Sequence, residues 1–341
     1  MSYSTGANED QPSGSSSGDA MDGFAVNLSV GFDETDSSLG DTDRLSSNAS
    51  ATPSVYDFVQ EFGRTYHKYK EGKYFLPNDE KERDRLNLQH EIALLSHQGK
   101  LCVAPVGSPA RVLDVGTGTG IWAIEFALQN PSSPVLGTDL SPIQPPFIPP
   151  NCRFEIDDIE DMWLWTSNFD FIYGRYITPF LSDLPRFARN CFENLNPGGY
   201  IELLEATMLF QAVDGSYEGT AMQRWNGLML QGVKKIGRDP LPPLKLNALL
   251  TEAGFTNVTE TRMPIPTSPW PKGKRQKMLG EMEMRNLLEA AHGITMAVFT
   301  KALGWKAEDV EVLLEEVREE LRGGRVHTYI PFVSIWAQKP E

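Results

Sequence analysis

The run Arg111-Val-Leu-Asp-Val-Gly-Thr-Gly-Thr-Gly120 constrains this chain more than any other stretch. Val112, Leu113 and Val115 read as a short strand buried on both faces, with Asp114 near its end. Gly116, Gly118 and Gly120 make a turn without side chains, and Ile121, Ile124 and Leu128 then recur at helical spacing. Strand, glycine turn and helix start in succession let a ligand approach backbone closely and meet the unpaired N–H groups of the helix. Such a turn also serves packing alone, so the residues downstream decide whether a ligand is involved.

Spacing narrows the ligand. A dinucleotide fingerprint needs a third glycine at position 121, which here is Ile121, so a nicotinamide oxidoreductase is disfavoured. An acid two residues before G-x-G-x-G, as Asp114 stands before Gly116, Thr117, Gly118 and Gly120, resembles the first motif of the S-adenosylmethionine (SAM) dependent methyltransferases. Val135–Asp139 reads as a second buried strand, with Asp139 19 residues after Gly120. A carboxylate there accepts from both ribose hydroxyls; the alternative is a solvated acid opening the Ser141-Pro142 turn, with Leu140 between them. Arg153–Ile156 alternates as a third strand and leads into Asp157-Asp158-Ile159-Glu160. At the carboxyl end of such a strand an acid can accept from an adenine amino group while Ile159 covers a ring face. Asp158 fits the family pattern better than Asp157, and an ordinary acidic loop is the competing account.

Around this centre the 341 residues, net charge −15, suffice for one large α/β domain with additions. Residues 1–54 hold nine Asp or Glu and one basic residue, Arg44, so they carry −8 of that charge and leave −7 to the rest. Their Ser/Gly/Asp/Asn composition predicts a disordered acidic tail without the basic and apolar regions of a signal peptide. No stretch approaches the roughly 20 apolar residues of a membrane span. Cys102, Cys152 and Cys191 are scattered and odd in number, which predicts buried thiols in a reducing compartment. No Cys/His cluster has metal-ligand spacing, so no metal is expected. The acidic balance argues against a nucleic-acid surface. The basic run Lys272–Lys277 reads as a solvated loop before a helix, with a nuclear import signal as the other reading.

Residues 55–100 are expected to form a tyrosine-rich helical lid, containing Tyr66, His67 and Tyr69, with Asp79 and Glu82 in a capping arrangement. Its aromatics either cover a cofactor or pack the segment onto the sheet. Residues 101–341 are expected to form the main domain, with helical insertions at about 216–240 and 274–322. Phe169–Tyr173 is the fourth strand, with Gly174-Arg175-Tyr176 at its tip, where a transferred group and its acceptor should meet; an amphipathic helix through Leu184–Leu195 ends at Asn196-Pro-Gly-Gly199; Tyr200–Glu205 is the fifth strand. Phe255–Pro266 is the sixth and Val326–Gln338 the last. Met222, Trp225, Met229, Val233 and Ile236 share one helical face, read as core or pocket wall.

Taken together, Tyr74–Glu80, Asp84–Leu86, Gln89-His90, Leu113–Ile124, Asp139–Pro145, Ile148–Asn151, Pro269–Pro271, Leu303–Trp305, His327–Tyr329 and Ile335-Trp336 resemble the fungal LaeA-like methyltransferases over about residues 60–340. The resemblance implies a class I Rossmann-like sheet in the order 3-2-1-4-5-7-6, with the last strand antiparallel. It also implies SAM as cofactor and a cytoplasmic or nuclear setting in fungal secondary metabolism. The role is either a tailoring enzyme methylating O or N of a small molecule, or a regulator working with velvet-type protein partners. The strand-four tip, Tyr173–Thr178, departs from the His-x-Arg-rich form of the regulator. A hydroxyl acceptor benefits from a base; His327 beside Tyr329 is the first candidate and His67 the second, with Tyr66 and Arg175 as further candidates. Arg175 either orients an acidic acceptor or pairs with Asp158 or Glu205. A SAM-binding module without turnover, and a relic with other chemistry, are the remaining readings.

Overall fold

The glycine turn sits at the centre of an eight-stranded sheet. The computed structural model describes residues 58–61, 63–67, 70 and 76–341. The expected acidic tail, residues 1–54, lies outside the described residues, as do Tyr69, Tyr74 and Phe75 of the expected lid.

β3 (Val112–Val115) is buried at all four positions and is flanked on both sides by parallel strands. β4 (Val135–Asp139) pairs with it through Val112 and Val135, and β6 (Phe169–Arg175) through Val112 and Phe171. Parallel strands covered on both faces need continuous apolar runs rather than alternation, which these segments have. β5 (Cys152–Ile156) lies beyond β4, and β7 (Leu195–Ala206) beyond β6. β10 (Thr328–Gln338) runs antiparallel between β7 and β9 (Thr256–Pro266). Counted from β3, the order is 3-2-1-4-5-7-6, as the resemblance implies. A two-residue strand, β8 (Gln211–Ala212), also pairs with the start of β10.

Alternation along the strands divides the core. Val112, Phe171 and Tyr173 face α2 (Ile121–Gln129), where Trp122 stacks on Tyr173 with centroids 3.9 Å apart. Leu113, Val115 and Ile172 face the opposite layer, which holds α3 (Leu184–Glu193) and α5 (Leu246–Glu252). Burying each such large side chain contributes about 1.5–3 kcal/mol. A third apolar cluster joins α1 (Glu80–Ser96), α4 (Ala221–Lys235), α6 (Lys274–Ala297) and α7 (Ala307–Gly323) to the end of β7 and the start of β10. This helical cluster is built largely from the two stretches read as insertions. A π-helical stretch, Val298–Leu303, extends α6.

Four local readings need correction. The N-terminal segment is not wholly helical: β1 (Phe58–Glu61) and β2 (Arg64–His67) form an antiparallel hairpin ahead of α1. Phe58, Val59, Thr65 and Tyr66 are β-formers, and Gly63 takes a left-handed φ of 72° at the turn. Ile236 is exposed, because α4 ends at Lys235 and leaves it as the cap. The Asn196–Gly199 turn is absorbed into β7, where its pairing with β6 shifts register. Lys274–Lys277 begin α6 rather than forming a loop, and Arg275 donates to the carbonyls of Leu95 and Ser96 at the end of α1. Asp79 caps α1 through Glu82 N as expected. Among the described residues, no helix is long and apolar enough to cross a membrane.

Candidate active site

A cavity of about 290 Å³ opens at the carboxyl ends of the central strands. Its floor is the glycine turn. Gly116, Gly118 and Gly120 take φ of 67°, 58° and 80°, left-handed values that side chains adopt only under strain. The turn is anchored to β4: Thr117 N donates to Thr138 O, and Gly118 N to Asp139 Oδ2 at 2.8 Å. The three glycines do different jobs. Gly116 lies under Ile177, and a Cβ there would come within 2.4 Å of its Cγ2. A Cβ on Gly118 would meet nothing nearer than Leu86 Cδ1 at 3.5 Å, so this is where the backbone faces the cavity. Gly120 does not line the cavity; it makes room for the Phe154 ring, whose Cζ would lie 2.4 Å from a Cβ. The sequence reading of Gly120 as a binding residue is thereby corrected to a packing role, which brings α2 close to β5.

Around that floor stand the carboxylates. Asp114 is buried on the cavity wall and accepts from Thr117 Oγ1 at 2.5 Å. Burial raises it to about 7, opposed by the Thr117 hydrogen bond and the nearby Arg175 charge. Asp139 accepts from Gly118 N through Oδ2 and from Ser141 N through Oδ1. The backbone of Leu140 also bears on it, and a carboxylate has about four acceptor sites, so capacity for a further donor remains. Leu140 and Ile159 supply apolar walls beside it. Asp157 lines the cavity and accepts from Asp158 N. Asp158 is buried; its Oδ1 accepts from Glu160 N, and its Oδ2 from Lys70 Nζ at 2.7 Å. Lys70, which also meets Asp161, ties the N-terminal segment to the acidic loop. Nothing in the spacing of the sequence marks that lysine.

The catalytic candidates fare differently. Arg175 lines the cavity, but its partner is His90 Nδ1 at 3.0 Å rather than Asp158 or Glu205. His90 in turn reaches Glu125 at 3.1 Å, and Glu205 accepts from Ile177 N and Thr178. His327 stands away from the cavity, half-exposed, bonded to Asp214 Oδ2 at 2.6 Å at the outer start of β10. Tyr66 sits in the hairpin, paired with Val59 across the strands, and does not line the cavity. His67 is buried near Ser141 Oγ and does not line it either. None of the five histidines reaches the cavity wall, because each is held on a neighbouring element. The three cysteines are free, and burial pushes their thiols up, Cys102 and Cys152 to about 12.

Beyond the glycine turn the cavity continues between α1, α4 and α6. Phe210, Trp225, Met229, Leu287, Ile294 and Ile330 make this part apolar. Tyr176, Arg85, Asn286 and Glu283 are among the polar groups set into it, with Asn226 and Thr207. Tyr176 belongs to the strand-four tip and Arg85 to the stretch that carries the resemblance, whereas nothing in the spacing marks Asn286 or Glu283.

Residues 82–260 match the family described as methyltransferase domain. The chain is 38% identical over 310 residues to methyltransferase pytC of Aspergillus terreus, covering 90% of this chain and 96% of that protein. It is 32% identical over 335 residues to the secondary metabolism regulator laeA of Aspergillus fumigatus, covering 94% and 89%. The chain belongs to the LaeA-like methyltransferases. It is further 34% identical over 261 residues to the probable methyltransferase tdiE of Emericella nidulans, covering 76% and 82%. Its cofactor is SAM, a nucleoside carrying a methyl group on a positively charged sulfur. The cavity of this methyltransferase fits such a group. Backbone free of side chains lies at Gly118, a carboxylate with spare acceptor capacity at Asp139, and acids outnumber Arg85 and Arg175 on the wall, which suits a cation.

Proposed function

We propose that this methyltransferase transfers a methyl group from SAM to an oxygen or nitrogen of a small, largely apolar metabolite of fungal secondary metabolism. The observation that carries the reading is the single continuous cavity, one half floored by the glycine turn and the other walled by Phe210, Trp225 and Met229. Relatives named as methyltransferases, pytC and tdiE, support it.

Bound SAM supplies the electrophilic methyl group, so the chain must chiefly align the acceptor and exclude water. Gly116, Thr117 and Gly118 cradle the cofactor with backbone; Asp139 takes the ribose hydroxyls; Asp157, Asp158, Leu140 and Ile159 hold the base; Asp114 faces the charged end with Arg175 beside it. Residues 55–100 act as a lid. Lys70 clasps the Asp158 loop, and Leu76, Pro77 and Leu86 shape the entrance. The protein acts in the cytoplasm or nucleus on a small molecule, without nucleic acid or membrane.

Incubating the full chain with methyl-labelled SAM and an organic extract of a fungal culture tests this. Label in an extractable small molecule, with release of S-adenosylhomocysteine, is the expected result. Label confined to protein, or no release, overturns it. The second reading, a regulator acting through velvet-type partners, draws on the 32% identity to laeA over 94% of the chain. Under it, recombinant velvet-domain proteins co-purify with the chain, and no small molecule is labelled.

A further inference from the structure

Glu283 projects from α6 onto the cavity wall and is buried. Its Oε1 accepts from Asn286 Nδ2 at 3.2 Å, while Oε2 has no hydrogen-bond partner among the described residues. Tyr176, just past the tip of β6, presents a second such atom: its buried phenol oxygen is unpartnered and lines the same cavity. Buried polar atoms are nearly always paired, so two orphans facing one cavity mark a place where a ligand supplies the partner. Tyr176 is also one of four non-glycine residues at positive φ among the described residues, at 54°, a conformation retained where the surroundings force it.

Glu283 is held in place from a distance. Asn286 Oδ1 accepts from Arg85 Nη1 at 2.8 Å, and Arg85 makes a bidentate pair with Glu82 at 2.5 and 3.0 Å. Arg64 approaches Glu82 at 4.0 Å and pairs with Asp79. A network of alternating charge therefore runs from β2 through α1 and ends at the open oxygen of Glu283. Trp225, Met229, Leu287 and Ile294 are among the apolar residues that line the same cavity.

We infer that this arm of the cavity is an acceptor subsite for an apolar molecule bearing a hydroxyl group, whose proton the Glu283 carboxylate receives while Tyr176 steadies the oxygen. The subsite deepens the methyl-transfer reading and rests on it for the reaction, though not for the binding. In the step, the acceptor oxygen forms a bond to the methyl carbon as the carbon–sulfur bond breaks. That bonding pair stays on sulfur, and the proton leaving the oxygen protonates Glu283. Positive charge thus passes from sulfur to a proton that neutralises a carboxylate, and solvent later takes the proton.

The charged neighbours set when Glu283 is ready. Burial raises it to about 7, while the Asn286 hydrogen bond and the Arg85 charge lower it. Glu82, on the same face of α1, is occupied by Arg85. Arg175 on β6 and Glu205 on β7 act on Tyr176, whose phenol is kept protonated by burial and by Glu283. The carboxylate form of Glu283 therefore grows as pH rises through about 7.

The test uses the full chain with 1-naphthol and its methyl ether, 1-methoxynaphthalene, titrated by fluorescence at pH 8 without cofactor. Wild type is expected to bind the naphthol at least about tenfold more tightly than the ether, the size of a hydrogen bond to a charged group. In Glu283→Gln the preference should shrink to within about threefold; Tyr176→Phe should lose part of it, with the fold intact. With the extract acceptor, Glu283→Gln should turn over about 10²-fold more slowly or worse, bind S-adenosylhomocysteine normally, and lose the rise of kcat/KM near pH 7. No wild-type preference for the naphthol, or one unchanged in Glu283→Gln, overturns the subsite. If the preference depends on Glu283 but SAM is not bound, the methyl-transfer reading falls and the subsite stands. If SAM is bound and turned over while the preference is absent, the reverse holds.

Discussion

Gly118 and Gly120 are two residues apart and equally left-handed, yet replacing each by alanine should damage different properties. At Gly120 the new Cβ meets Phe154 Cζ at 2.4 Å and Cε1 at 2.8 Å. The ring also lies against Gly137, where a Cβ would stand 2.6 Å from Cδ1, so it has little room to slide toward β4. Left-handed strain costs about 1–2 kcal/mol, and overpacking about 1–3 kcal/mol. Reduced freedom of the unfolded chain returns about 0.4–1 kcal/mol. Gly120→Ala should therefore destabilise by about 2–4 kcal/mol. Gly118→Ala carries the strain alone, since its nearest neighbour is 3.5 Å away, and should cost at most about 1.5 kcal/mol. Its methyl group instead enters the space where backbone meets the cofactor, so affinity for S-adenosylhomocysteine should fall about tenfold or more. Urea denaturation and calorimetric titration of both variants measure the two quantities. Equal stability losses, or an unaltered affinity in Gly118→Ala, would refute the division of labour among the glycines.

Asp139→Ala should weaken S-adenosylhomocysteine binding by about 10–100-fold, because hydrogen bonds to a charged group contribute about 1.5–3 kcal/mol; calorimetry checks it, and undiminished affinity contradicts the ribose assignment. His327→Ala should leave methyl transfer within about twofold of wild type, since the imidazole pairs with Asp214 outside the cavity; a tenfold loss of activity would restore it as a base. Burial raises Glu202 to about 7 and Glu205 to about 8, so between their unfolded and folded values the native state binds more protons than the unfolded one. Stability contributed by these groups is thus fully present below about pH 4.5 and is lost as pH rises through about 7–8. Urea midpoints should be higher at pH 6 than at pH 8.5, and Glu205→Gln should flatten that slope; an unchanged slope would count against the shift.

The central sheet was legible because its signals are local. Val112–Val115 and the glycine turn need only their immediate neighbours to be read, and Asp139 announces itself by distance from Gly120. The strand order came with the resemblance, and the antiparallel pairing of β10 with β7 bears it out. The hairpin at Phe58–His67 was hidden because its aromatic and polar residues give no helical or clean two-residue period. Glu283 was hidden for another reason. Its helix carries Glu281, Glu283 and Glu289, and their spacing does not tell which is buried. That is settled by Arg85, 201 residues from Asn286 in sequence. His327 misled because a histidine on a late strand is chemically attractive, while its position at the outer start of β10 is a matter of topology. Gly120 misled in the opposite sense: it belongs to the motif, but its empty space is filled by Phe154.

A crystal structure of the full chain with S-adenosylhomocysteine tests the central claim most directly. The nucleoside should lie over Gly116–Gly118, with its ribose hydroxyls on Asp139 and its sulfur end opening toward the apolar arm beside Tyr176 and Glu283. A nucleoside bound elsewhere, or one seated there with Asp139 out of hydrogen-bonding reach, would contradict it.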